Sequence, residues 1–335
     1  MANVISTSFT HTYAGSEATE VLYTPVFMGG TVEEHFTVNP NVKGKRNIYI
    51  AAALADIIKK RSGCGFSADG SLTLSDRTID TTDLKVNLEQ CFTEFEDTIF
   101  AESLRSGTAI EDMQDGEIAD MFIGALVPGM SRNLIKLAYF ADAASGSDDF
   151  DHFDGFWAKW IDAVTAGDIT KVSTTGYETA GVLDTGDSDD LLKALWEAQP
   201  NALKQVPASD KVIRVTGTIG DDYAGVLENA TTEFGMNATV NGVELKYRGI
   251  PVVVQYDWDT IQDDANCPNR TTLGENFAVL TTRDNLIFGT DIAQPTGESN
   301  IMVWYDPKDE MTYTKANFRG GVEYIHHDLQ VVAYQ

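Results

Sequence analysis

Residues 276–291, NFAVLTTRDNLIFGTD, followed by NIMVWYDP at 300–307 and TYTKANFRGGVEYIHHDLQVVAY at 312–334, decide how this chain is read. The three runs are rich in Val, Ile, Tyr and Phe, which suit the pleated, half-buried surface of a sheet. Breaks at Arg283-Asp284-Asn285, Pro295-Thr296-Gly297 and Asp306-Pro307 divide them, so they read as strands. They carry almost no helical periodicity and no set of side chains arranged for chemistry. Strands of this kind build a scaffold rather than a pocket.

Composition narrows the class. A chain of 335 residues that is 43% hydrophobic can bury one large or two moderate cores, which excludes a disordered or disulfide-framed protein. No run of eighteen or more apolar residues occurs, and MANVISTSFTHTYAGSEATEV lacks a basic segment followed by an apolar one. The expectation is a chain made and used in a cytoplasm, with no membrane partner. Cys64, Cys91 and Cys267 have no C-x-x-C spacing and read as reduced, mostly buried thiols, with a Cys64–Cys91 pair as the alternative. With 24 basic against 51 acidic residues the net charge is −27, which argues against gripping nucleic acid through its phosphates. An acidic wall around DNA would act as a non-adhesive container.

Upstream of the strand-rich end, residues 1–31 are small, polar and turn-rich, without Lys or Arg, and read as an extended arm. From residue 32 to 88, strand-like pieces (VEEHFTV, RNIYIAAALA, SLTLSDRTID, LKVNL) alternate with turn material, predicting a long two-stranded excursion. Its piece IYIAAALADIIKK also fits a short helix. Asp115 to about Ala144 carries the clearest helical stripe, including Ile118, Met121, Phe122, Met130, Leu134 and Leu137, with a kink or break expected at Pro128-Gly129. A short aromatic helix and a loop follow, then a helix opened by the acids of DSDD at 187–190, which are placed to cap it. Next come a strand at 211–216, a helix from Asp221 to about Phe234, a turn at Asn241-Gly242, and Val243, Leu245 and Tyr247 alternating with charged residues. This order predicts an α+β chain, with a mixed sheet and helices packed on it in the middle.

Few residues invite a chemical reading. His326-His327-Asp328 has the side chains of a metal or catalytic site, but neighbours in a strand face opposite ways, which favours a structural role. Asp184, Asp187, Asp189 and Asp190 lack the central Gly and terminal Glu of a calcium loop, and helix capping explains them with less. Asp148-Asp149-Phe150-Asp151-His152 reads as a solvated loop. Neither G-x-S-x-G nor a phosphate-binding G-x-x-x-x-G-K-S/T appears, so no catalytic residue, metal site or cofactor is assigned. Lys43, Lys45 and Arg46 stand out because basic residues are scarce. They are the candidate contact residues: either they dock on an acidic face of a neighbouring copy, or they form a solvated hairpin tip.

The C-terminal runs, together with NGVELKYRGIPVVVQYD at 241–257, resemble the C-terminal half of the major capsid proteins of tailed bacteriophages. The likeness covers residues 211–335 best, with the long helix, the excursion containing GCGFSADGSLTLSDRTI and the arm in supporting order. It implies the Hong Kong 97 fold: an N-terminal arm (1–31), an extended hairpin loop (32–88), a peripheral domain with a long spine helix (89–165), an axial domain (166–304) and closing C-terminal strands (305–335). It also implies assembly into hexamers and pentamers of an icosahedral shell enclosing double-stranded DNA in a virion built in a bacterial cytoplasm. Expected partners are a portal and separate scaffold or cementing proteins. The prototype's excursion loop carries a lysine that bonds to an asparagine of a neighbour, but nothing singles out Lys43 or Lys45 as that donor. No charged helical scaffolding region precedes the arm, so the expectation is a mature chain or one served by a separate scaffold. Two other readings remain open: an encapsulin-like nanocompartment subunit, and a calcium-dependent secreted enzyme or binding module.

Overall fold

The computed structural model of the protein describes residues 32–51, 74–91, 117–179, 181–228, 245–291, 301–306, 308 and 311–335. The first described elements are α1 (Val32–His35), β1 (Thr37–Asn39), β2 (Lys45–Ala51), β3 (Leu74–Asp80) and β4 (Thr82–Cys91). Then come α2 (Glu117–Phe140), α3 (Phe156–Ala166), β5 (Thr170–Ser173), β6 (Glu178–Thr179), β7 (Val182–Leu183), α4 (Asp187–Glu197) and α5 (Asn201–Gln205). The middle of the chain continues with β8 (Lys211–Thr216), α6 (Gly217–Glu228), β9 (Lys246–Tyr247), β10 (Ile250–Gln255), α7 (Tyr256–Gln262) and α8 (Arg270–Leu273). The strand-rich end holds β11 (Ala278–Thr282), β12 (Leu286–Thr290), β13 (Ile301–Asp306), β14 (Met311–Tyr324) and β15 (Gln330–Tyr334). The arm, Cys64, the Asn241-Gly242 turn and the Pro295-Thr296-Gly297 break lie outside the described residues.

Two larger sheets organise these elements. One is mixed, in the order β5-β15-β11-β8-β10-β9, with β8 parallel to β10, β15 parallel to β5 and the other pairs antiparallel. The other runs β1-β12-β14-β13, with β4 pairing the opposite edge of β14. The expected break at Arg283-Asp284-Asn285 is a 3-10 turn that passes the chain from β11 in the first sheet to β12 in the second. The strands β2 and β3 form a separate two-stranded ribbon.

The mixed sheet is buried on both faces, and the period of two assigns each side chain to a core. Ala278, Leu280, Val331 and Ala333 join Ile213 and Val215 beneath Leu191, Leu192 and Leu195 of α4 and Ile219 of α6. Their neighbours Val279, Val332 and Tyr334 point the other way, into a core with Leu134, Ala138 and Phe140 of α2 and Phe156, Trp157 and Trp160 of α3. That second core is held by aromatic edges and faces. Trp157 meets Trp160 edge-on at 4.9 Å and Phe277 at 5.0 Å, and Trp258 stacks on Phe277 at 5.4 Å. Such pairs add ~0.5–1.5 kcal/mol each beyond their buried area.

Several local expectations are corrected. VEEHFTV does not begin as a strand: Val32–His35 is a helical turn, because Val32 and Phe36, four apart, both enter the aromatic core. The α2 helix runs unbroken through Pro128 and ends at Phe140. A proline in a helix interior costs ~3 kcal/mol. Burial of Met130, Leu134, Leu137, Ala138, Tyr139 and Phe140 immediately after it opposes a break there. The α6 helix starts at Gly217, four residues before Asp221. The acids at the start of α4 do not cap their own helix; Asp222 of α6 does, accepting the backbone N–H of Gly186 at 2.9 Å and of Ser188 at 3.3 Å. Strand β4, which contains LKVNL, joins the second sheet rather than the excursion.

Candidate functional site

The feature that sets this fold apart from a closed globule is the β2–β3 ribbon, and the residues at its base are the ones arranged with most specificity. A two-stranded hairpin is at best marginally stable alone, so its geometry depends on what seats it. The seat is a glycine pair: Gly289 of β12 and Gly321 of β14 face one another across the ladder. A Cβ on Gly321 would overlap the carbonyl oxygen of Asp80, and one on Gly289 would fall 2.7 Å from Ile79 Cγ2. The RGGVE segment therefore lets the ribbon base cross the sheet backbone to backbone. Val42 donates its N–H to Thr290 O at 2.8 Å, and Thr81 donates its N–H to Gly44 O at 2.9 Å. Val42, Ile79 and Ile287 close a small buried cluster under the crossing.

A charged group then fixes the ribbon against the body. Arg77 of β3 donates to Glu323 Oε1 at 3.2 Å, lies 4.4 Å from the centroid of the Tyr324 ring and contacts His327 Nε2. Lys159 of α3 donates to the other carboxylate oxygen of Glu323 at 2.7 Å. Glu323 is only 7% exposed, so both cations are needed to offset its desolvation. An arginine offers only donors, so His327 Nε2 must accept, and Nδ1–H faces the Tyr324 hydroxyl at 3.2 Å. Burial, and then the Arg77 charge, hold the His327 pKa below its ordinary value. Ribbon and body enclose a cleft of about 450 Å³ beside this group, bordered by Asp76, Glu323, His326 and Asp328.

The motif His326-His327-Asp328 is thus part of the ribbon's anchorage. It sits at a 3-10 turn (His327–Leu329) rather than in a strand, so alternation of faces is not what separates its members. His326 donates its backbone N–H to Asn285 Oδ1 at 2.8 Å. Among the described residues no group of three His, Cys, Asp or Glu side chains is placed to hold a metal ion.

The basic patch lies at the ribbon's base, not its tip. Lys45 stands opposite Asp80 in the ladder and pairs with it at 2.7 Å, with both side chains well exposed. Arg46 donates to Asn39 Oδ1 at 2.9 Å and to Pro40 O at 3.2 Å. Lys43 is exposed and has no hydrogen bond or ion pair to any described residue.

A second arginine–histidine contact fastens the segment that leads into the ribbon. Arg214 of β8 alternates with Ile213 and Val215 and so faces the aromatic core, where Nη1 donates to His35 Nδ1 and Nη2 to His35 O, both at 2.8 Å. The Tyr139 hydroxyl lies 3.4 Å from the same Nδ1. Burial, aided by Arg214, lowers the His35 pKa to about 4, and burial raises that of Tyr139 to about 12. On the other flank Asp259 accepts the Gly217 N–H at 2.8 Å, and burial raises its pKa to about 6 despite that bond.

Neither contact was legible as a functional pair in the sequence, since Arg77 and Glu323 are 246 residues apart and Arg214 and His35 are 179 apart. The one available signal was the double glycine in NFRGGVEY, an unusual break in an otherwise uniform strand.

No family model and no curated protein matches this sequence. Among solved structures, the chain is similar to the capsid of Myoviridae phage XM1, with a TM-score of 0.54 at 11% identity over 96% of this chain and 98% of that one. It is similar to a structure of Mycobacterium phage Che8, with a TM-score of 0.52 at 10% identity over 99% and 98% of the two chains. The capsid structure of cyanophage P-SCSP1u gives 0.50 at 13% identity over 99% and 98%. At such identities the likeness is one of fold, and it extends over nearly the whole of each chain.

Proposed function

We propose that this α+β chain, which has the fold of tailed-phage capsid proteins, is a major capsid protein that assembles into the hexamers and pentamers of an icosahedral shell around double-stranded DNA. The observation that carries the reading is the nearly full-length likeness to capsid structures, with no large region of this chain left over for another task. Its work is assembly rather than catalysis, in a virion built in a bacterial cytoplasm, with a portal and separate scaffold or cementing proteins as partners. The net charge of −27 supports a wall that encloses DNA without binding its phosphates.

In this reading residues 1–31 form the arm, 32–88 the hairpin region, 89–165 the peripheral domain with α2 as its spine, 166–304 the axial domain, and 305–335 the closing strands. Of the three basic candidates, Lys43 is the one free to reach an acidic neighbour, while Lys45 and Arg46 brace the hairpin base.

Analytical ultracentrifugation of the purified protein, with and without a co-expressed scaffold, tests the reading. Capsomer-sized rings or shells with a nucleic-acid absorbance peak support it. Uniform shells filled with protein cargo would point to a nanocompartment instead.

A further inference from the structure

Beyond the glycine seat, the sheet formed by β4, β14 and β13 presents a face whose described residues are exposed or half-buried. Ladder register and the period of two define it. Leu84, Thr314, Ala316 and Phe318 turn inward and are buried. The alternate positions therefore turn outward. There Trp304 is paired across the ladder with Tyr313, their rings stacked at 5.6 Å, and two rungs along Met302, 67% exposed, stands opposite Lys315. An exposed methionine beside a stacked Trp–Tyr pair has the composition of an interface core.

The charges on this face say what kind of partner fits. Among the described residues Asp83, Glu89 and Asp306 share it with Lys85, Lys315 and Arg319, and Asp83 and Arg319 pair with one another. The chain as a whole carries 51 acids to 24 bases, so two copies repel over most approaches. A charge-balanced face with interleaved signs is where that repulsion is least, and where its charges are complementary to those of an identical molecule. Nucleic acid would require an excess of bases, which the described residues of this face do not supply.

We infer that the outward face of β4, β14 and β13 is a contact surface for a second copy of this chain. This deepens the shell-forming reading and rests on it for its biological setting. Trp304 and Met302 supply the apolar centre, and Lys85 and Lys315 supply charges for the acids of the neighbour.

The test compares the wild-type chain with Met302→Gln/Trp304→Ser, with Lys85→Glu/Lys315→Glu, and with the control Lys193→Glu/Lys204→Glu. The control makes the same change of net charge on exposed positions of α4 and α5. Far-ultraviolet circular dichroism and melting curves establish that each variant is folded, and sedimentation velocity over a concentration series reads association. The face variants are expected to need at least tenfold more protein to associate, while the control stays within about twofold of wild type. Folded face variants that associate like wild type would overturn the inference and leave the proposed function standing. Wild-type dimers that never grow into shells, yet are lost in the face variants, would keep the contact and remove the capsid reading.

Discussion

Gly289 and Gly321 lie directly opposite one another between β12 and β14, and the backbone of the hairpin base crosses the sheet over them. This pair converts a local feature of sequence into the long-range geometry of the molecule, because it sets how closely the ribbon can approach the body. The Arg77–Glu323–Lys159 group then fixes the ribbon's angle on that seat.

Gly321→Ala places a methyl group against the Asp80 carbonyl, where backbone and not a flexible side-chain end must give way. Overpacking of this kind costs ~1–3 kcal/mol. Urea denaturation is expected to show a loss in that range. Gly129→Ala is the contrasting case: it lies within α2 with no atom near its added Cβ, and it is expected to gain up to ~1 kcal/mol.

Arg77→Ala leaves the buried Glu323 with Lys159 as its remaining cation and removes the guanidinium from the Tyr324 ring. Breaking a buried pair by removing one partner costs ~3–5 kcal/mol, and the part retained by Lys159 places the expected loss near ~3 kcal/mol. Hydrogen exchange of residues 45–51 and 74–80 should accelerate, with little change in β8 and β11. Unchanged exchange in the ribbon would show that the contact does not hold it.

Acid should loosen the His35 fastening. Its folded pKa of about 4 lies below the unfolded 6.5, so the unfolded chain takes up the proton first. The stability is complete above pH 6.5 and declines as pH falls towards 4, by roughly 3 kcal/mol at most. Asp259 runs the other way. Its pKa is raised from 3.8 to about 6, so its contribution is present below pH 3.8 and lost as pH rises through 6. The measurement is the difference between wild type and His35→Asn, which keeps an acceptor for Arg214 without the titration. The two stability curves should converge as pH drops from 7 to 4, and parallel curves would contradict the assignment.

Asp222→Ala removes the carboxylate that accepts the Gly186 and Ser188 N–H groups at the start of α4. Loss of a cap costs ~0.5–2 kcal/mol. Removing Asp187 or Asp190, which do not cap the helix, should cost less than removing Asp222.

The sheets were legible because their signal is local. The apolar runs in Ala278–Thr282 and Gln330–Tyr334 and the polar break at Arg283–Asn285 each report on a few adjacent residues. The α2 helix was legible for the same reason, although Pro128 suggested a break that packing of the following turns opposes. What stayed hidden depends on residues distant in the chain. Asp222 capping α4, Arg214 choosing His35, and Arg77 meeting Glu323 are products of topology, which a pattern of neighbours does not encode. The hairpin-tip reading of the basic patch fails for the same reason: Lys43-Gly44-Lys45-Arg46 looks like a turn, and only the pairing of Lys45 with Asp80 puts it at the hairpin's base.

Electron microscopy of the purified protein, alone and with a co-expressed scaffold, tests whether this chain is a shell subunit. Rings of six and five subunits or closed icosahedral particles are expected, with the β2–β3 ribbon of each subunit projecting from the glycine seat. A monodisperse monomer under both conditions, at concentrations where capsid proteins assemble, would contradict it.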